Sequence, residues 1–243
     1  MNMHIRPIKT RVFKEGESLL SFTLQHIKTL KENSIIVFTS KIVALSEYRT
    51  APIGDEKEKE ILIHAESQWA IKTKWVWLTL KDHMIMASAG IDESNANGKL
   101  ILLPEDSFMT AKLLRKKLKS KYKIKNLGVI ITDSRTIPLR AGVIGVALGY
   151  AGFESLKDYR GKPDIFGRKF IFSQTNLADS LATAAVLVMG EGNEQQPLAI
   201  MKNPPVVFSQ KEINKMELVI PLEDDLYRPF FVSSRKSKFK NLL

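Results

Sequence analysis

The stretch Ala87-Ser-Ala-Gly-Ile-Asp-Glu-Ser-Asn-Ala-Asn-Gly-Lys-Leu-Ile-Leu-Leu-Pro-Glu-Asp106 decides how the rest of the chain is read. A hydrophobic run, Met84 to Ala87, ends there in a small-residue turn that delivers Asp92, Glu93, Ser94 and Asn95 together. The apolar residues Leu100 to Leu103 and then Pro104 follow at once. A strand that stops at a glycine-containing turn places carboxylates and amides at its exposed end, where hard cations and phosphates are held. The same residues fit an Asx-type turn, in which Asp92 and Asn95 satisfy local backbone donors. Both readings stand at this point.

Toward the C-terminus, Leu127-Gly-Val-Ile-Ile-Thr132 predicts a buried strand ending in Asp133-Ser134. A carboxylate at the end of an apolar strand, followed by a hydroxyl, holds a divalent metal over a phosphate, or it caps the next turn. Beyond Pro138 the glycines at 142, 145, 149 and 152 permit close backbone approach to a strand, a ligand or a second subunit. Arg140, Arg160 and Arg168 are candidate forks for carboxylate or phosphate, although pairing with Asp158 and Asp164 also explains two of them. Phe170 to Thr175 reads as a strand, and Asn176 to Met189 as an alanine-rich helix capped by Asn176. Gly190-Glu191-Gly192 then makes an acidic turn, which either closes a metal site or is a plain helix stop.

Toward the N-terminus, Gly16 to Lys31 predicts a helix capped by Ser18, and Ser34 to Thr39 a buried strand. That strand runs into a polar turn, Ser40-Lys41, which offers backbone donors and an ammonium to an anion, or simply solvates Lys41. A helix is expected over Lys57 to Ala70, and paired strands over Trp75 to Leu80 and His83 to Ala87 about Lys81-Asp82. Trp69, Trp75 and Trp77 are expected as core or interface mass. Pro104 to Ser107 caps a helix from Phe108 to about Ser120. Pro197 to Met201 and Met216 to Ile220 are expected as edge structure, and Glu223 to Leu243 as a poorly ordered tail.

With no cysteine, disulfides, zinc-thiolate sites and cysteine nucleophiles are excluded, and His26, His64 and His83 have no ligand spacing. No apolar run reaches bilayer length and Met1 to Arg11 has no signal-peptide core, so a soluble, cytoplasmic protein without membrane partners is expected. The net charge is +11, but eight basic residues between Lys112 and Lys125 and four in the tail (Arg235, Lys236, Lys238 and Lys240) account for more than all of it. The basicity is therefore local, suited to a polyanion on one face or to a solvated helix. No base-stacking aromatic pattern or helix-turn-helix signature supports a nucleic-acid partner.

The acidic turns, taken together and in order, resemble the coenzyme F420-0:gamma-glutamyl ligase family. The resemblance rests on Ala-Gly-Ile-Asp92-Glu-Ser-Asn95 with Leu-Leu-Pro-Glu-Asp106, and on Val-Ile-Ile-Thr-Asp133-Ser134 with Leu-Arg140-Ala-Gly142. Asp158-Tyr-Arg-Gly161, Asp164-Ile-Phe-Gly167-Arg168, Ala178-Asp179 and Met189-Gly190-Glu191 extend it over most of residues 10 to 202. The resemblance implies an α+β fold of mixed sheets with flanking helices, residues 1–222 as one domain or two intertwined subdomains, and an intertwined homodimer. It implies a GTP-dependent ligase with two divalent ions, Mg²⁺ or Mn²⁺, that adds L-glutamate to a carboxylate acceptor such as F420-0 through an acyl phosphate. By resemblance Asp92 and Asp133 ligate the first metal, and Ser134 and Glu191 serve the second. Asn95 contacts nucleotide phosphate, Ser40, Lys41, Gly190 and Glu191 line the nucleotide, and Asp133 and Arg140 are the candidate catalytic residues. The chain departs from the family pattern where x-Gly-Arg is replaced by Arg135-Thr136-Ile137, where a lysine is replaced by Leu45, and where Glu-Gly-Arg becomes Glu47-Tyr48-Arg49.

Overall fold

A computed structural model of the chain describes residues 2–232. β1 (His4–Ile8) leads into α1 (Leu19–His26), β2 (Ser34–Thr39) and α2 (Ser40–Ser46). The middle of the chain forms β3 (Thr50–Pro52), α3 (Glu56–Ala65), β4 (Trp69–Lys72), β5 (Trp77–Lys81), β6 (Met84–Ala87) and β7 (Lys99–Ile101). Then follow α4 (Ser107–Tyr122), β8 (Leu127–Thr136), β9 (Val143–Ala151), β10 (Leu156–Asp158) and β11 (Gln174–Asn176). α5 (Leu177–Met189), β12 (Leu198–Lys202) and α6 (Arg228–Val232) complete the α+β set. Most of the expected tail, from Ser233 onward, lies outside the described residues. The elements group into two compact units, Met1–Tyr48 with Pro104–Leu218, and Arg49–Leu103 with the stretch from Val219.

The first unit is built on a five-stranded sheet in the order β1-β12-β2-β8-β9. β2 and β8 are parallel and every other neighbouring pair is antiparallel. Both parallel strands read as unbroken apolar runs because both their faces are covered, and Ile35, Ile36, Val37, Val129, Ile130 and Ile131 are all fully buried. Ala178, Leu181, Ala182, Ala185 and Met189 of α5 pack into that core with Tyr150 and Phe153. Close approach is paid for with glycine at two points of β9. A Cβ on Gly145 would stand 2.6 Å from the Ala182 carbonyl of α5, and one on Gly149 would stand 2.4 Å from the Ser107 backbone of α4.

Several expectations are corrected here. α1 stops at His26, short of Lys31, because Ile27 is extended and buried and its carbonyl accepts the Tyr122 hydroxyl at 2.6 Å. Ser40-Lys41 is no turn but the first residues of α2. β8 does not end at Thr132; Asp133 to Thr136 continue the ladder, paired with Val146 to Val143 after a bulge between Ile131 and Thr132. β12 is an interior strand between β1 and β2, since its residues Leu198 to Met201 are buried. The run from Phe170 is a strand only over Gln174–Asn176, paired with β10, while Phe170 and Ser173 make isolated backbone bonds to Gly161, Lys162 and Tyr159. The basic helix α4 is partly tied down: Lys112 pairs with Glu212, Arg115 donates to the Leu127 and Ser209 carbonyls, and Lys119 donates to Gln210.

In the second unit β4, β5 and β6 form a meander, and β3 pairs with β7. The β5–β6 hairpin turns on Asp82 and His83, both at positive φ, as two-residue hairpin loops require. The helix expected to reach Ala70 ends at Ala65, and Trp69 opens β4 instead. Trp75 is not core mass: it stands 82% exposed at the β4–β5 turn. Glu66 holds this unit's charges together, accepting from Arg49 Nη2 at 2.5 Å and Lys81 Nζ at 2.9 Å. Burial works to raise the Glu66 pKa, but the bonds from Lys81 and Arg49 outweigh it and hold the carboxyl below its usual value. A depressed folded-state pKa contributes stability that is present above the unfolded value of about 4.5 and lost as the pH falls through the folded value. Glu66→Gln is therefore expected to lower the melting temperature at neutral pH and to flatten its acid dependence, measured by thermal scans across the acid range. An unchanged acid limb in the variant would sink this assignment.

Candidate active site

The parallel register of β2 and β8 creates the site. Thr39 lies opposite Thr132, so the next residue of each strand, Ser40 and Asp133, come side by side where β2 gives way to α2. Ser40 Oγ donates to Asp133 Oδ1 at 2.9 Å. The bulge just before Thr132 adds twist where the functional residues begin, a placement typical of strands that aim side chains into a site. Thr132 Oγ1 donates to the Val146 carbonyl at 2.9 Å and fixes β8 against β9.

A third segment arrives from the end of α5. Asn176 caps this helix through Asp179, whose carboxylate also accepts the Ala147 amide at 2.8 Å and so pins α5 to β9. Burial raises the Asp179 pKa, although the bonds from Ala147 and Asn176 oppose the shift. At the far end Gly190 adopts φ +85°, ψ 164°, a backbone region essentially reserved for glycine. The turn it begins brings Glu191 to Ser134, whose Oγ donates to Glu191 Oε1 at 2.6 Å. Glu194, which sequence reasoning passed over, shapes this turn: its carboxylate accepts the Gly192 amide at 2.8 Å and fills the space over Gly190. The only signal for it was the pair of glycines ahead of an acid.

The first unit thus carries two pairs at consecutive residues of β8, Ser40 with Asp133 and Glu191 with Ser134, which project from opposite faces of the strand, with Lys41 beside Ser40 on α2. Arg135 Nη1 pairs with Asp133 Oδ2 and donates to the Ser134 carbonyl at 2.8 Å. Arg140 joins neither pair; it sits exposed at the tip of the β8–β9 hairpin, beyond the end of β8. Asp92 and Asn95 belong to the second unit. Asp92 bridges Ile101 through its backbone and accepts the Ser94 amide at 2.7 Å and hydroxyl at 2.9 Å, the Asx-type geometry that was one of the two readings of this turn. Asn95 is exposed at φ +55° on the same turn, and Glu93 pairs with Lys59. Arg160 pairs with Asp158, as the alternative reading had it.

Among the described residues no group of three or more histidine, aspartate or glutamate side chains gathers as a ligand cage. The donors present are instead two carboxylate–hydroxyl pairs, Asp133 with Ser40 and Glu191 with Ser134, all hard oxygens. That set fits Mg²⁺ or Mn²⁺, which take one or two carboxylates and complete their shells with water and substrate phosphate. Also among the described residues, no helix is long and apolar enough to cross a membrane.

Comparison with known proteins fits this architecture. Residues 7–203 match the family model described as F420-0:Gamma-glutamyl ligase. The chain is 41% identical over 220 residues to the Coenzyme F420:L-glutamate ligase of Methanopyrus kandleri, covering 82% of this chain and 86% of that protein. It is 33% identical over 217 residues to the protein of that name from Methanococcus maripaludis strain C6, with the same coverage, and 27% identical over 249 residues to that from Archaeoglobus fulgidus, with 94% and 97% covered. The fold and these likenesses define an enzyme, a ligase that forms amide bonds. The chain belongs to the F420-0:gamma-glutamyl ligase family.

Proposed function

We propose that this enzyme joins L-glutamate to a carboxylate acceptor such as coenzyme F420-0, using GTP or another nucleoside triphosphate and a divalent metal. The acceptor carboxylate takes the γ-phosphoryl group and releases the diphosphate; the glutamate amine then displaces phosphate from the acyl phosphate to leave the amide. The observation that carries this reading is the pairing of Ser40 with Asp133 where β2 ends beside β8, with Ser134 and Glu191 paired at the next residue of β8. β2 gives way to α2 there, and in open α/β sheets the carboxyl end of a parallel strand is where phosphate-bearing ligands are held. Asp133 would hold one divalent ion and Ser134 with Glu191 a second, Mg²⁺ or Mn²⁺, which would supply charge neutralisation to the phosphate oxygens. Ser40 orients the Asp133 carboxylate, Ser134 orients that of Glu191, and Lys41 offers an ammonium to the nucleotide from the first turn of α2. Asp92 and Asn95 enter the proposal from the family resemblance alone, as metal ligand and phosphate contact, and so does Arg140 as a catalytic residue. Phosphoryl transfer asks the protein chiefly for positioning and charge, and this cluster is suited to both.

The test is calorimetry of GTP and ATP with and without Mn²⁺, followed by mass spectrometry of F420-0 incubated with glutamate and the nucleotide that binds. Metal-dependent binding and an acceptor heavier by one glutamyl residue are expected. Binding of neither nucleotide would refute the reading.

A homodimer is part of the same proposal. β10 and β11 pair only with each other, and two short strands alone are marginally stable. Around them Ile165, Phe166, Ile171 and Phe172 are exposed, an apolar patch that suits burial by a second copy of the chain. Sedimentation at twice the chain mass is expected, and Phe166→Ser with Phe172→Ser should shift it to the monomer.

A further inference from the structure

Both carboxylate oxygens of Asp133 are already engaged, Oδ1 by the Ser40 hydroxyl and Oδ2 by the Arg135 guanidinium. Asp133 and Arg135 stand two residues apart on β8 and so project from one face of the strand. The guanidinium is held at a second point by the Ser134 carbonyl, and the Arg135 side chain is only 8% exposed. Its charge is therefore fixed in place and poorly screened by salt. Two cations cannot both sit against one carboxylate without repelling each other, and a shielded site makes that repulsion strong.

We propose that Arg135 is the resident counter-cation of Asp133, and that a divalent cation reaches this carboxylate only by displacing the guanidinium. The inference rests on the reading of Asp133 as a metal ligand. It makes divalent affinity in this chain a competition between Arg135 and the incoming metal, set by a residue that is not itself a ligand. Arg135 is thus a positioning residue: it acts through the Asp133 carboxylate.

The experiment is a Mn²⁺ titration of the full chain without nucleotide, read from the electron paramagnetic resonance signal of free Mn²⁺. The variants are Arg135→Leu, Arg135→Gln, Arg135→Lys and Asp133→Asn. Removing the charge, in Arg135→Leu or in the more polar Arg135→Gln should the first fold poorly, is expected to tighten Mn²⁺ binding at least about tenfold. Arg135→Lys keeps the charge and should stay close to the wild type, and Asp133→Asn should lose the site. Equal affinity in the wild type and both neutral variants, lost in Asp133→Asn, overturns the inference and leaves the metal reading standing. No binding even in the neutral variants overturns both.

Discussion

Asp133→Asn is expected to reduce amide formation by about a thousandfold or more, while the protein still folds. The amide keeps the shape of the carboxylate and can accept from Ser40 Oγ as Asp133 does at 2.9 Å. It lacks the charge that would hold a divalent ion over the transferring phosphoryl group. The substitution also removes the negative charge facing the buried Arg135 guanidinium, which costs about 1–3 kcal/mol of stability because a buried charge loses its counter-ion. The two effects separate in the double variant: Asp133→Asn with Arg135→Leu should regain much of the lost stability and none of the lost turnover. Product mass and a denaturant melt read the two quantities. Turnover within tenfold of wild type in the single variant would remove Asp133 from the chemistry.

The second large effect is on stability. Gly149→Ala is expected to cost about 3 kcal/mol, because its methyl group would meet backbone on both counts, the Ser107 carbonyl carbon at 2.4 Å and the Phe108 nitrogen at 2.6 Å. Neither atom belongs to a side chain that can swing away, so either β9 or the first turn of α4 must shift. For a chain of this length the loss corresponds to roughly 6–12 °C in melting temperature. Gly142→Ala makes the control. It has nothing within 4 Å of the added Cβ, and only its φ of +88° opposes the change. A Gly149→Ala melt no worse than that of Gly142→Ala would mean that the α4–β9 crossing yields easily.

Elements defined by local pattern were legible in the sequence. Ser34 to Thr39 is a buried strand, as its unbroken apolar run indicates. The hairpin about Asp82 and the helix capped by Asn176 formed where turn and cap chemistry placed them. What failed was whatever distant contacts decide. Nothing near Ile27 announces that a tyrosine ninety-five residues away ends α1. β12 looks like an edge because its apolar run is short, yet pairing on both sides gives it the interior. Asp133 was read as a strand end because the residues after it are polar, but antiparallel pairing with β9 carries the strand through them. In the site, Asp133, Ser134 and Glu191 were each visible as acid or hydroxyl at a turn, and the family resemblance joined them. The bond from Ser40 to Asp133 needed the parallel register, which no local pattern encodes. Arg135 was visible as a departure from the family pattern, but its pairing with Asp133 depends on the strand continuing, and that was the point on which the local reading erred.

The connection from β2 to β8 carries all of Arg49–Leu103 as an excursion whose two ends are laced together. Leu102 donates to the Arg49 carbonyl at 3.0 Å, Arg49 Nε donates to the Leu103 carbonyl at 3.1 Å, and Thr50 pairs with Ile101. Entry and exit are therefore about one strand spacing apart. To the sheet, fifty-five residues are equivalent to a tight turn, since the loop is closed by its own ladder and adds little to closure entropy. The segment behaves as a cassette. Insertions, deletions or an exchanged module between Arg49 and Leu103 should leave the register of β2 against β8, and with it the placing of Ser40 beside Asp133, untouched.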